Sequence, residues 1–77
     1  MGSKYPVLTP SEVIKTLGKF GFVLKSQKGS HMKYVKTGKH TLKKTAIIPK
    51  HNEIDKGTLQ GILEQAGLSL EEFITKL

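Results

Sequence analysis

Three short segments in the middle of the chain constrain the fold most. Phe22–Gln27, Ser30–Lys36 and Leu42–Ile48 alternate apolar and polar residues, which is the pattern of strands with one buried face. Lys28-Gly29 separates the first two segments, and Thr37-Gly38-Lys39 separates the second from the third. Connections this short join antiparallel neighbours. The sequence therefore predicts a three-stranded antiparallel sheet.

The alternation also predicts which side chains point toward a core. Met32 and Tyr34 are expected to point inward, so that His31, Lys33 and Val35 point outward. The opposite register would bury an unpaired charge at a cost of several kcal/mol. In the first strand, Phe22 and Leu24 share a face. In the third strand, either Ala46 and Ile48 or Thr45 and Ile47 could share the inner face.

Helix signals lie on both sides of these strands. Thr9–Glu12 has the pattern of a capping box that opens a first helix, and Gly21 is expected to end that helix. Asp55 is the expected N-cap of a second helix that Gly67 closes, and Ser69–Glu72 is a second capping box. The expected order is α-β-β-β-α-α in one domain of 77 residues.

The charges are distributed unevenly. Thirteen lysines against six acidic residues give a net charge of +7. Ten of the lysines lie between Lys15 and Lys50, where no acidic residue occurs. A solvated surface would normally mix both signs. The segment therefore predicts a basic surface, for which nucleic acid is the favoured partner.

Several classes of function are disfavoured by what the sequence lacks. Without cysteine the chain has no disulfide framework and no thiol nucleophile. Its histidines, His31, His40 and His51, are too scattered to form a compact ligand set, so we expect no metal and no other cofactor. No apolar run has the length of a membrane span, so we expect a cytoplasmic protein.

The best candidate for chemistry is Gly29-Ser30-His31, between Lys28 and Lys33. An imidazole can transfer protons near neutral pH, and neighbouring ammonium groups attract a phosphodiester while disfavouring the imidazolium. These are the requirements of metal-independent RNA cleavage, in which a base activates the 2′-hydroxyl. The general acid stays open, because either His31 or a lysine could donate the second proton.

Lys56-Gly57-Thr58, at the start of the second helix, is a second candidate contact for phosphate. Free N–H groups and a lysine converge there, although an ordinary helix entry explains the pattern equally well. Tyr5 and Tyr34 could stack on bases, but tyrosines at such positions more often belong to the core.

The motifs in their order resemble the HicA toxins, the small mRNA-cleaving partners of HicB antitoxins. The resemblance covers most of the chain, and residues 1–5 match none of its motifs. The matching pieces are Gly21-Phe22, Gly29-Ser30-His31, Ile48-Pro49-Lys50-His51, Gly57-Thr58-Leu59, Ala66-Gly67-Leu68-Ser69 and Glu72-Phe73.

This resemblance implies an α+β fold similar to a double-stranded-RNA-binding domain, with helices covering one face of the sheet. It implies a toxin of a type II toxin-antitoxin pair acting in stress responses, an endoribonuclease that arrests growth by cleaving mRNA and is neutralised by a HicB-like antitoxin. His31 falls on the family's catalytic position. His51 falls on its other recurrent histidine, for which we expect a structural role, and His40 matches nothing and is interpreted as a solvated turn residue.

Two other functions are compatible with the same residues. The chain could be an RNA-binding module without catalysis, in which case replacing His31 would leave RNA affinity unchanged. It could instead be a protein-interaction domain whose lysines contact an acidic partner, which predicts negligible RNA affinity at moderate salt.

Overall fold

The computed structural model of the chain describes residues 5–38, 43–50 and 53–77. It confirms the order α-β-β-β-α-α and the three-stranded antiparallel sheet. The elements are α1 Pro10–Lys19, β1 Val23–Lys28, β2 His31–Lys36, β3 Lys44–Pro49, α2 Lys56–Ala66 and α3 Leu70–Thr75.

Helix α1 begins with the predicted capping box. The Thr9 hydroxyl accepts a hydrogen bond from the Glu12 N–H, and the Glu12 carboxylate accepts one from the Thr9 N–H, so two otherwise unpaired donors are satisfied. Val13 and Leu17 are fully buried on the inner face of the helix. The next residue with a positive φ is Gly21, at the predicted end of this helix.

The central strand of the sheet is β2, which pairs with β1 on one side and β3 on the other. Met32 and Tyr34 are buried, at 7% and 9% exposure, whereas His31 is exposed. The predicted register of β2 is therefore confirmed. In β3 the pair on the inner face is Ala46 with Ile48, which resolves the alternative that the sequence left open.

The strand β1 differs from the other two strands because all six of its residues are exposed. Leu24 pairs with Tyr34 and so lies on the same face as the core, yet it is 51% exposed. The reason is that the helices do not extend that far: α2 packs on β3, and α1 contacts β3 as well. Lys25 is an extra residue in β1, where the register with β2 shifts between Leu24 and Ser26.

The second and third helices begin at the predicted N-caps. The Asp55 carboxylate accepts from the Thr58 N–H at the start of α2, and Ser69 and Glu72 form a capping box at the start of α3. Just before α2, Ile54 forms an isolated bridge with Leu8, which joins the segments preceding α1 and α2. The buried hydrophobic side chains form one core cluster, to which β1 contributes none.

Some predictions fall on residues that the structure does not describe. These are the turn at Lys39, His40, the start of the third strand at Leu42, and His51, together with residues 1–4. Tyr5 is described and is half-buried against the core. Among the described helices, none has the length and apolar character needed to span a bilayer.

The core position of Phe73 can be tested against its neighbour. Phe73 is fully buried and Ile74 is 45% exposed, one residue further along α3. We expect Phe73→Ala to lower the free energy of unfolding by about 3–5 kcal/mol, because it removes a large buried side chain and leaves a cavity. Ile74→Ala should cost less than about 1 kcal/mol. Urea denaturation of both variants measures the difference, and equal losses would contradict the described packing.

Candidate functional site

His31 stands at the first position of the central strand, on the sheet face that the helices leave uncovered. The face is set by the alternation of β2, because Met32 and Tyr34 occupy the covered side. None of the side-chain hydrogen bonds between described residues involves the imidazole. The ring is therefore accessible to a large substrate that approaches the open face.

The two lysines beside His31 are positioned by the strand pairing. Lys28 is the direct partner of His31 across the β1–β2 turn, which puts the two Cα atoms about 5.5 Å apart. Lys33 follows two positions along β2, about 7 Å away on the same face. Since a lysine side chain spans a similar distance, both ammonium groups can reach a phosphate held against the imidazole.

A two-residue turn, Gly29-Ser30, holds this arrangement together. Gly29 has a φ of 60° and no described non-glycine residue has a positive φ, so only the first turn residue adopts the left-handed region. That is the pattern of a type II′ hairpin turn, in which glycine is favoured at the first position. The Gln27 side-chain amide also donates to the Gly29 carbonyl. The turn therefore fixes the pairing of Lys28 with His31.

On β3, the residues that share the open face are mostly apolar. Pro49 is the partner of His31, and Ile47 is the partner of Lys33. Both are half-buried. The open face therefore combines an imidazole and two ammonium groups with an adjacent apolar surface on β3.

Neither tyrosine is exposed beside this cluster. Tyr34 is buried on the opposite face of β2, which confirms its expected core position and excludes its hydroxyl as an acid on the open face. Tyr5 packs against the core, and the Nζ of Lys56 lies 5.7 Å from the centre of its ring, within cation–π distance. Among the described residues, the titratable side chains on this part of the open face are therefore those of His31, Lys28 and Lys33.

Three other lysines of the acid-free segment lie near helix ends. The side chain of Lys36 lies beside Gly21, just after α1, and that of Lys44 lies beside Gly67, just after α2. Lys19 Nζ donates to the carbonyl of Lys76 at the end of α3. A positive charge is stabilising at a helix C-terminus, where the carbonyl groups lack partners. The sequence did not distinguish these lysines from Lys28 and Lys33.

The start of α2 is the second predicted phosphate contact. Gln65 bonds to the backbone of Ile47, and Lys44 lies beside Gly67, so α2 runs antiparallel to β3. Its first residues therefore lie toward the end of β3 at which Pro49 pairs with His31. However, the Asp55 carboxylate already accepts from the Thr58 N–H at 2.9 Å. Hydrogen bonds from Thr58, and a weaker one from Gly57, lower the pKa of Asp55 below its usual 3.8.

This carboxylate changes the character of the Lys56–Thr58 segment. A phosphate there would meet a negative charge and an N–H group that is already bonded, which leaves the Lys56 ammonium as its available partner. The sequence could have indicated this competing carboxylate, because Asp55 was the predicted N-cap. Within the described residues, no group of three or more His, Asp or Glu side chains is placed to hold a metal ion.

Two comparisons with known proteins bear on this site. The model of the family described as the HicA toxin of bacterial toxin-antitoxin systems matches residues 10–68, which includes both lysines, the Gly29-Ser30 turn and His31. No curated protein matches the chain.

The N-cap role of Asp55 gives a test with a defined pH dependence. Asp55→Ala should lower the melting temperature near pH 7, whereas Asp55→Asn should retain most of the stability because asparagine is an equally good N-cap. The pKa of Asp55 is lower in the folded state, so the ionised carboxylate stabilises the fold above its unfolded pKa, and this contribution is lost as the pH falls through the folded value. Thermal melts from pH 7 to below pH 4 should show the wild type and Asp55→Ala converging, and a constant difference would contradict the assignment.

Proposed function

Since the chain belongs to the HicA toxin family, we propose that it is a metal-independent endoribonuclease that cleaves mRNA and arrests growth. We further propose that a HicB-type antitoxin neutralises it. The observation that carries the proposal is the position of His31, exposed on the open face, paired with Lys28 and followed on the same face by Lys33. This arrangement combines a base with two cations on a surface that can accept a long polyanion.

In the proposed reaction, the imidazole of His31 takes the proton of the ribose 2′-hydroxyl. The 2′-oxygen attacks the adjacent phosphorus, and the bond from phosphorus to the 5′-oxygen breaks. The products are a 2′,3′-cyclic phosphate and a 5′-hydroxyl end. Because the nucleophile is part of the substrate, the protein contributes position, a base and charge rather than a bound metal.

Lys28 and Lys33 are proposed to stabilise the charge that develops on the phosphorane, and the proposal is supported by their position on the same face as His31, one across the pairing and one two residues along β2. The backbone of Gly29 and Ser30 lies next to these lysines and is proposed to contact the RNA as well. The leaving 5′-oxygen takes its proton either from the imidazolium formed in the first step or from one of these ammonium groups.

Lys56, Gly57 and Thr58 are proposed as a secondary contact for a flanking phosphate. Thr58 N–H is engaged by Asp55, so Lys56 is the main partner in this contact. The proposal is supported by the antiparallel path of α2 along β3, which directs the start of the helix toward the His31 end of the sheet.

An RNA-binding module without catalysis is the second candidate. The sheet covered by helices on one face and the exposed lysines support it equally well, because neither feature requires proton transfer. The position of His31 at the centre of the cationic cluster favours the nuclease.

Replacing His31 is the decisive test. We expect His31→Ala to reduce cleavage of a single-stranded RNA, assayed in EDTA, by at least about 100-fold, which is the typical contribution of a general base. Growth arrest on expression should be lost as well. Since His31 is exposed, the melting temperature should stay unchanged.

Full activity in a folded His31→Ala variant would overturn the catalytic assignment. Equal RNA binding by wild type and variant, with no cleavage by either, would favour the RNA-binding module. Lys25→Ala is the matched control, because Lys25 is an exposed neighbour on β1 that has no assigned role in catalysis.

The lysine contacts can be tested separately from chemistry by measuring RNA affinity in the uncleaving His31→Ala background. Each lost phosphate contact should reduce the slope of log K against log salt concentration by about 0.7 for a single strand. We expect this reduction for Lys28→Ala and for Lys33→Ala. Lys76→Ala serves as the control, since this exposed lysine lies at the end of α3. Equal slopes for all three variants would show that the lysines contribute only to a diffuse field.

A further inference from the structure

The two edges of the sheet differ in how their backbone is protected. At the β3 edge, the N–H of Ile47 donates to the Gln65 side chain at 3.0 Å, and Pro49 has no N–H to offer. Helix α2 also packs against this strand. At the β1 edge, no strand or isolated bridge among the described residues pairs with the outer side. The β3 edge is therefore closed to another strand, whereas the β1 edge is open.

The open edge also carries exposed apolar side chains. Val23 is 61% exposed and Leu24 is 51% exposed. Val23 pairs with the outward-pointing Val35, and Leu24 pairs with the inward-pointing Tyr34, so the two side chains lie on opposite faces of the sheet. A segment that paired with β1 could bury both of them at once.

The charge of the same strand selects the partner. Lys25 and Lys28 lie on β1, and no acidic residue occurs between Lys15 and Lys50. Pairing β1 with β1 of a second copy would bring these lysines together, which disfavours a dimer through this edge. RNA has no backbone amide ladder to pair with the strand. The combination favours an extended polypeptide that carries both acidic and apolar side chains.

We propose that the β1 edge binds an extended segment of a partner protein as a fourth strand. Its apolar side chains contact Val23 and Leu24, and its acidic side chains contact Lys25 and Lys28. The inference rests on the proposed function in one respect, because it identifies this partner as the antitoxin.

Such a strand would act directly on the candidate site. Adjacent strands lie about 4.8 Å apart, so the added strand would lie about 10 Å from β2. Side chains that it places on the open face, next to Lys28, extend toward His31 because Lys28 and His31 are direct partners. An acidic side chain there would neutralise Lys28 and occupy the space of the phosphate. Strand addition thus accounts for inhibition without any change in the toxin fold.

The test uses the full chain co-purified with the protein encoded by the adjacent reading frame. Amide hydrogen exchange followed by NMR should show β1 amides, including Leu24, protected roughly tenfold or more in the complex compared with the free chain. Leu24→Asp and Lys25→Glu should each weaken the complex by roughly tenfold. Val7→Asp and Lys76→Glu are the controls, because they make similar changes at exposed positions outside the sheet. Neither control should change the affinity.

Four results would overturn the proposal. The first is a complex in which β1 amides exchange as in the free chain. The second is β1 protection that depends on the concentration of the isolated chain, which would indicate a second copy. The third is equal protection by a single-stranded RNA on the His31→Ala variant. The fourth is no binding by the neighbouring protein. RNA cleavage is measured separately, so loss of the nuclease assignment would leave the exchange result interpretable.

Discussion

The pairing of β2 with a strand on each side is the constraint on which the rest of the structure depends. Successive residues of β2 point to opposite faces of the sheet. Met32 and Tyr34 belong to the core, whereas His31 and Lys33 form the candidate site. A register slip of one residue would exchange the two sets, exposing the apolar pair and burying the charged one. The burial of the core therefore fixes the exposure of the site. The position of the imidazole follows from packing on the other side of the same strand.

The lysine-rich segment has no acidic residue of its own, and three of its lysines lie near helix ends. With no acidic residue between Lys15 and Lys50, side-chain ion pairs within the segment are impossible. Lys36 and Lys44 instead lie beside the residues that follow α1 and α2, and Lys19 bonds to the end of α3. The partial negative charge of a helix C-terminus favours a cation at such positions. Among the described residues, none of the side-chain hydrogen bonds involves the ammonium group of Lys25 or Lys28, the two lysines of β1.

Much of the fold was predictable because its signals are local. The capping box of Thr9 and Glu12 and the alternation through Met32 and Tyr34 each depend on residues a few positions apart, and the structure confirms them. The exposure of Leu24 was not predictable, since it depends on how far the helices extend across the sheet. The choice between two faces for β3 also needed the tertiary packing of α2.

The candidate site was only partly predictable for the same reason. The alternation of β2 predicts that His31 and Lys33 share a face. The pairing of Lys28 with His31 was not predicted, because the sequence analysis placed the turn at Lys28-Gly29, whereas the structure has it at Gly29-Ser30 with Lys28 as the last residue of β1. The effect of Asp55 on the start of α2 could have been inferred from its N-cap position, because a capping carboxylate necessarily occupies an N–H group that a phosphate would otherwise use.

The helices cover β3 but not β1, and this partial cover determines which parts of the sheet stay accessible. The described residues form two helices of 10 and 11 residues and one of six, and the two longer helices both pack on β3. A larger helical layer would have covered Leu24 and β1, and the outer strand would then be part of the core. Because it is left uncovered, β1 presents, directly beside the strand that holds His31, an edge that no other described strand pairs with. The same shortage of covering structure thus leaves the open face available to a polyanion and the adjoining edge available to a polypeptide. A partner at the edge and a substrate on the face would compete for Lys28, since this residue belongs to both surfaces.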